Sequence, residues 1–279
     1  MHLRTSTLFW GLPLIIAALC GCASVSKPSA EARHASYAKI QSLFAGDREA
    51  ALSQAYVVLS GDSKAEIPDF VAGATSGYFS GTNKMNLTTQ GMAIGLSADG
   101  YLLTASHVVG ANTWVLGCID GRIDCRPARL VFRSGSASPT DVALIKVEGR
   151  LGHCASFGKT PQVGNRVFGV VCYRKGTEPG GCIDFTGGKV LGIRDGPGGS
   201  PVTLVDTDVP QWLGDSGGPL LSNTGQLVGV FSQYHYYWAG RWRRWTTCFL
   251  PKPGFVQEVI AGDRAPANGA NPQGGANGR

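Results

Sequence analysis

Short apolar stretches separated by turn residues run from Gln90 to Phe249, and they restrict the possible folds more than any other feature. Several are preceded by a turn pair such as Asp99-Gly100 or follow a turn such as Asn223–Gly225. About ten strands at this spacing, with no convincing helix among them, are typical of an all-β sandwich or a pair of barrels. The composition agrees, because 16% charged residues and 40 glycines suit short strands joined by turns.

The N-terminus carries an export signal. Met1–Arg4 is a short basic start, and the apolar run Leu8–Leu19 is too short to span a membrane comfortably. The sequence Leu19-Cys20-Gly21-Cys22 then resembles the bacterial lipobox, which implies removal of residues 1–21 and lipidation of Cys22. Several acyl chains on one residue anchor a protein stably. With Ala23 next, the resemblance implies an outer-membrane lipoprotein, on the periplasmic side or at the cell surface. The alternative is an ordinary signal peptide with incidental cysteines.

Two further segments lie outside the strand-rich region. Residues 22–60 are polar and alanine-rich, with weak helical spacing that ends at Gly46, which predicts a short helix or a tether. Residues 253–260 predict a short closing helix. The Gly/Ala/Asn/Pro-rich residues 262–279 predict a disordered tail.

Six cysteines follow Cys22, and an even number in an exported chain predicts disulfide bonds. Six cysteines allow 15 pairings. We expect Cys118–Cys125 and Cys172–Cys182, because each pair brackets a turn-like segment, and Cys154–Cys248 then remains. The sequence contains no CxxC and no Cys/His cluster, so neither a metal site nor a cofactor is predicted.

Three residues of the strand-rich region have the chemistry of nucleophilic catalysis. A hydroxyl is a poor nucleophile at neutral pH, unless a base lies within hydrogen-bond reach and an acceptor holds that base. Ser216 lies in the glycine-rich turn "GDSGGP". His107 ends the strand-like run "DGYLLTASHVVG", and Asp141 comes directly before the apolar run "VALIKVE".

The stretches "LLTASHVV", "TDVALIKV" and "GDSGGPLLS…GQLVGV" resemble the three signature blocks of the trypsin-like (chymotrypsin-fold) serine peptidases, in the manner of bacterial HtrA-type enzymes. Their order and spacing match over about residues 88–250. The resemblance implies an all-β fold, a chymotrypsin-like double six-stranded β-barrel with a short N-terminal helical segment and a short C-terminal helix. It places the peptidase domain at residues 61–261, with the boundary between the barrels near 150–162.

The resemblance also implies the role of each residue. Ser216 is the nucleophile, His107 the general base and Asp141 the residue that orients the histidine, while the backbone N–H groups of Gly214 and Ser216 form the oxyanion hole. The chain is then a serine endopeptidase that acts on envelope or extracellular proteins. Asp215 leaves an alternative open. Digestive relatives pair that aspartate with a newly cut N-terminus, but here the N-terminus is predicted to be lipidated and distant, so no free amine is expected for Asp215. In the alternative, the fold is a weak or inactive binding or scaffold module at the membrane.

The substrate pocket is also implied by resemblance. Pro210 forms its floor, and Ser232, Gln233 and Tyr234 form its walls. An uncharged floor argues against a preference for Lys or Arg, and the bulk of Tyr234 favours small or medium apolar side chains.

Residues 232–248 combine six aromatic side chains with three arginines around the turn Ala239-Gly240, which predicts a β-hairpin. This hairpin is either an aromatic and cationic flap that binds substrate or an anionic surface, or a hairpin with alternate aromatics packed on the core. The net charge of +6 is modest for 279 residues, and no Lys/Arg run is present, so no nucleic-acid partner is predicted. The predicted partners are a protein or peptide substrate and the membrane.

Overall fold

A computed structural model describes residues 43–62, 87–134, 140–174, 181–211, 214–238 and 242–265. Within these ranges, the side chains at 87–89, 172–174, 181–184, 236–238 and 242–243 are not described. The predicted export signal, Cys22, the helical spacing before Leu43, the hairpin turn Ala239-Gly240 and residues 266–279 therefore lie outside the described residues.

Within the described residues, twelve antiparallel strands close into two barrels of six strands each, which confirms the predicted double barrel. The first barrel has the order β1-β2-β3-β6-β5-β4 and comprises Ala55–Gly61 (β1), Leu87–Ser97 (β2), Tyr101–Ala105 (β3), Asn112–Ile119 (β4), Arg122–Arg133 (β5) and Val142–Val147 (β6). The second has the order β10-β11-β12-β9-β8-β7 and comprises Arg166–Arg174 (β7), Gly181–Asp195 (β8), Val202–Thr207 (β9), Pro219–Ser222 (β10), Leu227–Trp238 (β11) and Trp242–Pro251 (β12).

The first barrel begins before the predicted domain start at residue 61. Helix α1 (Arg48–Ser53) leads into β1, and all seven residues of β1 are buried. A strand buried on both faces lacks the polar alternation by which a strand is recognised in a sequence. The predicted tether of residues 22–60 therefore contains a core strand of the barrel.

Clusters of buried apolar side chains fill the two barrels and join them. One lies within the first barrel and includes Tyr56, Leu102 and Ile145, and a second lies within the second barrel. A third draws residues from both barrels and from helix α2 (Pro253–Arg264), so burial of this surface ties the two barrels to each other. Removing apolar surface from water at about 25 cal/mol per Å² makes these contacts the main source of the fold's stability.

Helix α2 follows the last strand of the second barrel and is bound to the first barrel at its C-terminal end. The Asp263 carboxylate accepts hydrogen bonds from the Tyr101 hydroxyl (2.6 Å) and from Arg129 Nη1 (2.7 Å), and Arg264 Nη2 pairs with Asp99 (2.6 Å). The helix therefore includes residues 262–264, so the predicted start of the disordered tail at 262 is three residues too early. The hydrogen bonds from Arg129 and Tyr101 lower the pKa of Asp263 to about 2.

We expect Asp263→Asn to destabilise the protein in a pH-dependent way. The folded-state pKa of about 2 lies below the usual value, so ionised Asp263 contributes its full stabilisation above about pH 4 and loses it as the pH falls through about 2. At neutral pH the variant should lose about 1–2 kcal/mol of unfolding free energy. In thermal unfolding across this pH range, the difference in melting temperature between the wild-type protein and Asp263→Asn should shrink as the pH falls. Asp195→Asn, an exposed carboxylate on β8, serves as the control, and a gap independent of pH would contradict the prediction.

Candidate active site

The pairing of two strands brings His107 and Asp141 together at one end of the first barrel. Ala105, the last residue of β3, lies opposite Val142, the first residue of β6. His107 follows in a 3₁₀ turn, Ser106–Val108, and the Ser106 N–H donates to the Asp141 carbonyl at 3.1 Å. The pairing of β3 with β6 therefore fixes the backbone at both residues, and the two side chains meet directly beside the paired strand ends.

The Asp141 carboxylate accepts three hydrogen bonds. His107 Nδ1 lies 2.5 Å from Oδ2, the His107 backbone N–H donates to Oδ1 at 2.9 Å, and the Ser232 hydroxyl donates to Oδ2 at 2.6 Å. Burial alone would raise the pKa of Asp141, but the hydrogen bonds from His107 and Ser232 outweigh it and lower the pKa. The ionised carboxylate accepts the Nδ1 proton, which leaves Nε2 as the basic nitrogen of the ring. The His107 side chain is 48% exposed and Asp141 only 15%, so the ring is open to solvent while the carboxylate is sheltered.

Ser232 has a contact that the sequence did not predict. Its assignment to a wall of the substrate pocket stays a prediction. In the structure Ser232 is buried, and its hydroxyl donates to Asp141. The pairing of β11 with β12 shifts between Phe231 and Gln233, so Ser232 is an extra residue in the strand. Such a bulge turns a side chain away from the ordinary alternation and is common beside functional sites. No motif in the sequence indicates a bulge at this position.

Ser216 lies in a tight turn that enters β10. The Gly218 N–H donates to the Asp215 carbonyl at 2.8 Å, and the Gly217 N–H donates to the Phe231 carbonyl at 2.8 Å. The backbone at Gly217 has φ +85°, a left-handed conformation that favours glycine. The hydrogen bonds and backbone conformation of Gly217 and Gly218 therefore fix where Ser216 lies at the start of β10.

The Ser216 turn contacts the first barrel directly, close to His107. The Met92 N–H donates to the Ser216 carbonyl at 2.7 Å. A Cβ built on Gly91 would lie 2.6 Å from the side chain of Val108 and 2.7 Å from the Ser216 carbonyl oxygen. Because Gly91 has no side chain, the Ser216 carbonyl and the side chain of Val108, the residue that follows His107, can both lie close to it. Among the described residues, no hydrogen bond joins Ser216 to the His107 ring, a contact that often tightens only when substrate binds.

Two backbone N–H groups of the Ser216 turn donate no hydrogen bond within the described residues. Among the hydrogen bonds formed within the described part of the chain, none uses the N–H of Gly214 or of Ser216 as donor. Gly214 has φ +99°, and a Cβ built on it would meet nothing within 4 Å. Asp215 between them is fully buried. The assignment of these two amides to an oxyanion hole stays a prediction.

The remaining predicted pocket residues differ in exposure. Pro210 is half-buried, Gln233 is exposed, and Tyr234 is 42% exposed. Gln211, beside Pro210, is 1% exposed, and its Oε1 has no hydrogen-bond partner among the described residues. The assignment of Pro210, Gln233 and Tyr234 to a pocket stays a prediction.

The predicted disulfides Cys118–Cys125 and Cys154–Cys248 are not formed, because all four residues are free thiols in the structure. Cys118 lies opposite Ile123 and Cys125 opposite Leu116, so these two are not cross-strand partners. Cys154 packs against the core of the first barrel and Cys248 lies in that of the second, so that pair is separated. Burial raises the pKa of Cys125 to about 11 and that of Cys248 well above its usual value, which keeps both thiols protonated and unreactive.

The register of the third predicted pair is also unfavourable. Cys172 lies opposite Ile183, and Cys182 lies opposite Tyr173, so the two cysteines are out of step by one residue across β7 and β8. Their side chains lie outside the described residues.

The predicted β-hairpin between residues 232 and 248 is present. Its strands pair from Gln233 opposite Thr247 out to Trp238 opposite Trp242. At its base the rings of His235 and Trp245 stack, with centroids 4.5 Å apart, and His235 Nε2 lies 2.9 Å from the Thr247 hydroxyl. These side chains contact one another at the base of the hairpin.

Two further searches concern the described residues alone. They contain no group of three or more His, Cys, Asp or Glu side chains placed to hold a metal ion. No helix within them is both long and apolar enough to cross a membrane.

A family model described as a trypsin-like peptidase domain matches residues 91–230, which is half of the chain. This range contains His107, Asp141 and Ser216. The chain belongs to the trypsin-like peptidase family. Three proteins named probable periplasmic serine endoprotease DegP-like are similar to it. The protein from Pseudomonas fluorescens is 34% identical over 143 residues, and that from Ectopseudomonas mendocina is 36% identical over 141. The protein from Hahella chejuensis is 30% identical over 179 residues.

These matches cover 50% to 63% of this trypsin-like chain, but the chain spans only 28% to 36% of the length of those relatives. Among solved structures, an HtrA-type protease AlgW with decapeptide superposes with a TM-score of 0.51 at 19% identity. That match covers 76% of this chain and 66% of the other. The likeness shows that the two share a fold.

Proposed function

We propose that this trypsin-like chain is a serine endopeptidase in which His107, Asp141 and Ser216 form the catalytic triad. The observation that carries the proposal is the Asp141 carboxylate, which holds Nδ1 of His107 at 2.5 Å while the Ser216 turn contacts the neighbouring strand. A buried carboxylate bound to one imidazole nitrogen, with the other nitrogen basic and solvent-accessible, is the arrangement that activates a hydroxyl.

In the proposed reaction, Ser216 Oγ attacks the carbonyl carbon of the scissile peptide as His107 Nε2 takes the hydroxyl proton. The carbonyl oxygen gains a negative charge, which the Gly214 and Ser216 N–H groups stabilise. The tetrahedral intermediate then expels the amine, which receives its proton from His107, and leaves an acyl-enzyme. A water molecule, deprotonated by His107, hydrolyses the ester and releases Ser216. Asp141 stabilises the imidazolium that forms in both halves.

The two backbone N–H groups make up the proposed oxyanion hole. Loss of one such donor typically raises the barrier by about 2.7–4 kcal/mol. The positive φ of Gly214 supports the assignment, because a residue with a side chain rarely adopts it.

The names of the relatives support a proposal for the substrate class. The DegP-like proteins are named periplasmic serine endoproteases, and the AlgW structure is titled as holding a decapeptide. We propose peptide segments of envelope or extracellular proteins as substrates, with export by the N-terminal signal and a lipid anchor on Cys22. Pro210, Ser232, Gln233 and Tyr234 are proposed to line the pocket for a small or medium apolar side chain.

Labelling with an organophosphonate tests the activity. We expect the purified protein to gain one phosphonyl group, located on Ser216 by peptide mass spectrometry, and to cleave casein. Ser216→Ala should do neither while retaining the same melting temperature. A folded wild-type protein that neither labels nor cleaves would overturn the proposal and leave a binding or scaffold module as the function.

A further inference from the structure

The Thr104 hydroxyl is a buried polar group that the proposed catalytic steps do not use. Thr104 lies in β3, is 0% exposed, and its Oγ1 donates to the Met92 carbonyl at 2.6 Å. Residues 101–105 are buried throughout, so an aliphatic side chain would suit the core at least as well. The hydrogen bond to the Met92 carbonyl is therefore what the Thr104 hydroxyl adds that an aliphatic side chain would not.

Met92 connects that hydroxyl to the nucleophile. Its carbonyl accepts from Thr104, and its N–H donates to the Ser216 carbonyl at 2.7 Å. The Met92 carbonyl and the Thr104 hydroxyl also lie directly against Gly217. A Cβ built on Gly217 would lie 1.9 Å from the Met92 oxygen and 2.3 Å from Thr104 Oγ1. The N–H and the carbonyl of Met92 belong to the two successive peptide groups that share its Cα. Thr104 holds the second of these groups, and the Ser216 turn of the second barrel is bound to the first.

Thr104 is also close in sequence to His107, the proposed general base, which follows three residues later. One short segment of the first barrel thus carries the imidazole and, through Met92, supports the backbone of the serine. A displacement of about 1 Å between reacting groups can cost a hundredfold in rate. A change in the Met92 backbone would shift the Ser216 carbonyl that the Met92 N–H binds.

We propose that Thr104 is a positioning residue. By holding the Met92 carbonyl, its hydroxyl fixes the backbone on both sides of the Met92 Cα, including the N–H that binds Ser216, and thereby sets Ser216 against His107. The proposal rests on the proposed serine peptidase function. It differs from a stabilising role, because removal of the hydroxyl should slow acylation more than it weakens substrate binding or folding.

The test compares Thr104→Val, which keeps the shape of the side chain, with Thr104→Ser, which keeps the hydroxyl. Thr207→Val is the matched control. Thr207 is also 0% exposed. Its hydroxyl donates to the Lys189 carbonyl at 2.8 Å and accepts from the Val209 N–H at 3.2 Å, and within the described residues no hydrogen bond joins it to the Ser216 turn. For each variant, organophosphonate labelling rates, kcat and KM for a peptide substrate, melting temperature and hydrogen exchange of the Met92 amide are measured.

We expect Thr104→Val to label about 10- to 100-fold more slowly, with kcat reduced and KM little changed. Thr104→Ser should recover to within about threefold of wild type, because the bond to the carbonyl is retained. The Met92 amide should exchange about tenfold faster in Thr104→Val than in Thr207→Val, because its bond to Ser216 is weakened.

Two results would overturn the proposal. One is wild-type labelling in Thr104→Val at a melting temperature lowered as much as in Thr207→Val, which would make Thr104 a stabilising residue only. The other is unchanged exchange of the Met92 amide, which does not depend on catalysis. If wild type itself fails to label, the proposed function fails, and the exchange measurement alone still decides whether Thr104 holds the Met92 peptide.

Discussion

An Asp141→Asn variant is expected to stay folded and to lose about 10⁴-fold in kcat/KM. The carboxylate faces three donors, Nδ1 and the backbone N–H of His107 and the Ser232 hydroxyl, and it accepts from all of them. An amide of the same shape has one oxygen and one NH₂ group, so it can face only some of these donors as an acceptor.

Either orientation of the amide damages the site. With its NH₂ group toward the His107 ring, the amide donates to Nδ1 and so moves the ring proton to Nε2, which then cannot accept the proton of Ser216. With its NH₂ group toward the His107 backbone N–H, two donors oppose each other at a position where the carboxylate accepts at 2.9 Å. In both cases the charge that stabilises the imidazolium is lost. The loss should appear in kcat, because the interaction is strongest in the transition state.

Peptide hydrolysis and the phosphonylation rate measure this effect, with circular dichroism to confirm folding. Ser232→Ala is the informative comparison, because it removes one donor and keeps the carboxylate. It should cost about tenfold, far less than Asp141→Asn. An Asp141→Asn enzyme within tenfold of wild type would show that this carboxylate does not orient the base.

The strands and the three signature residues could be predicted because their signals are local in the sequence. Turn residues mark the ends of the strands, and "GDSGGP" combines a hydroxyl with glycines that only a strained turn needs. His107 and Asp141 are recognisable because each borders a core strand. Side-chain contacts across the barrels are different, because they depend on register and on bulges. The binding of Ser232 to Asp141 and the contact of Met92 with Ser216 belong to this second kind.

The errors have the same origin. The pairing Cys118–Cys125 was expected because the two lie near one turn, but the register of β4 and β5 places each opposite a different residue. Strand β1 was missed because full burial removes the alternation. The end of helix α2 was placed too early because Asp263 and Arg264 are held by Tyr101 and Asp99, more than 160 positions away in the chain.

Gly217→Ala is expected to cost about 2–4 kcal/mol of stability and to lower the labelling rate more than a hundredfold. The backbone at residue 217 has φ +85°, which disfavours any side chain. In addition, the new methyl group would lie 1.9 Å from the Met92 carbonyl oxygen, and a backbone atom cannot swing aside as a flexible side chain can. The turn must move away from the first barrel, and Ser216 moves with it.

Gly225→Ala separates the two causes of that loss. Gly225 has nearly the same backbone, φ +83°, but a Cβ there meets only the Phe44 ring, at 3.5 Å. It should therefore show the cost of the left-handed conformation alone, about 1–2 kcal/mol, with labelling unchanged. Melting temperatures and labelling rates of the two variants give the comparison. Equal labelling in both would mean that contact between the Ser216 turn and Met92 does not position the nucleophile, whereas a hundredfold difference at similar stability would locate the effect in that contact.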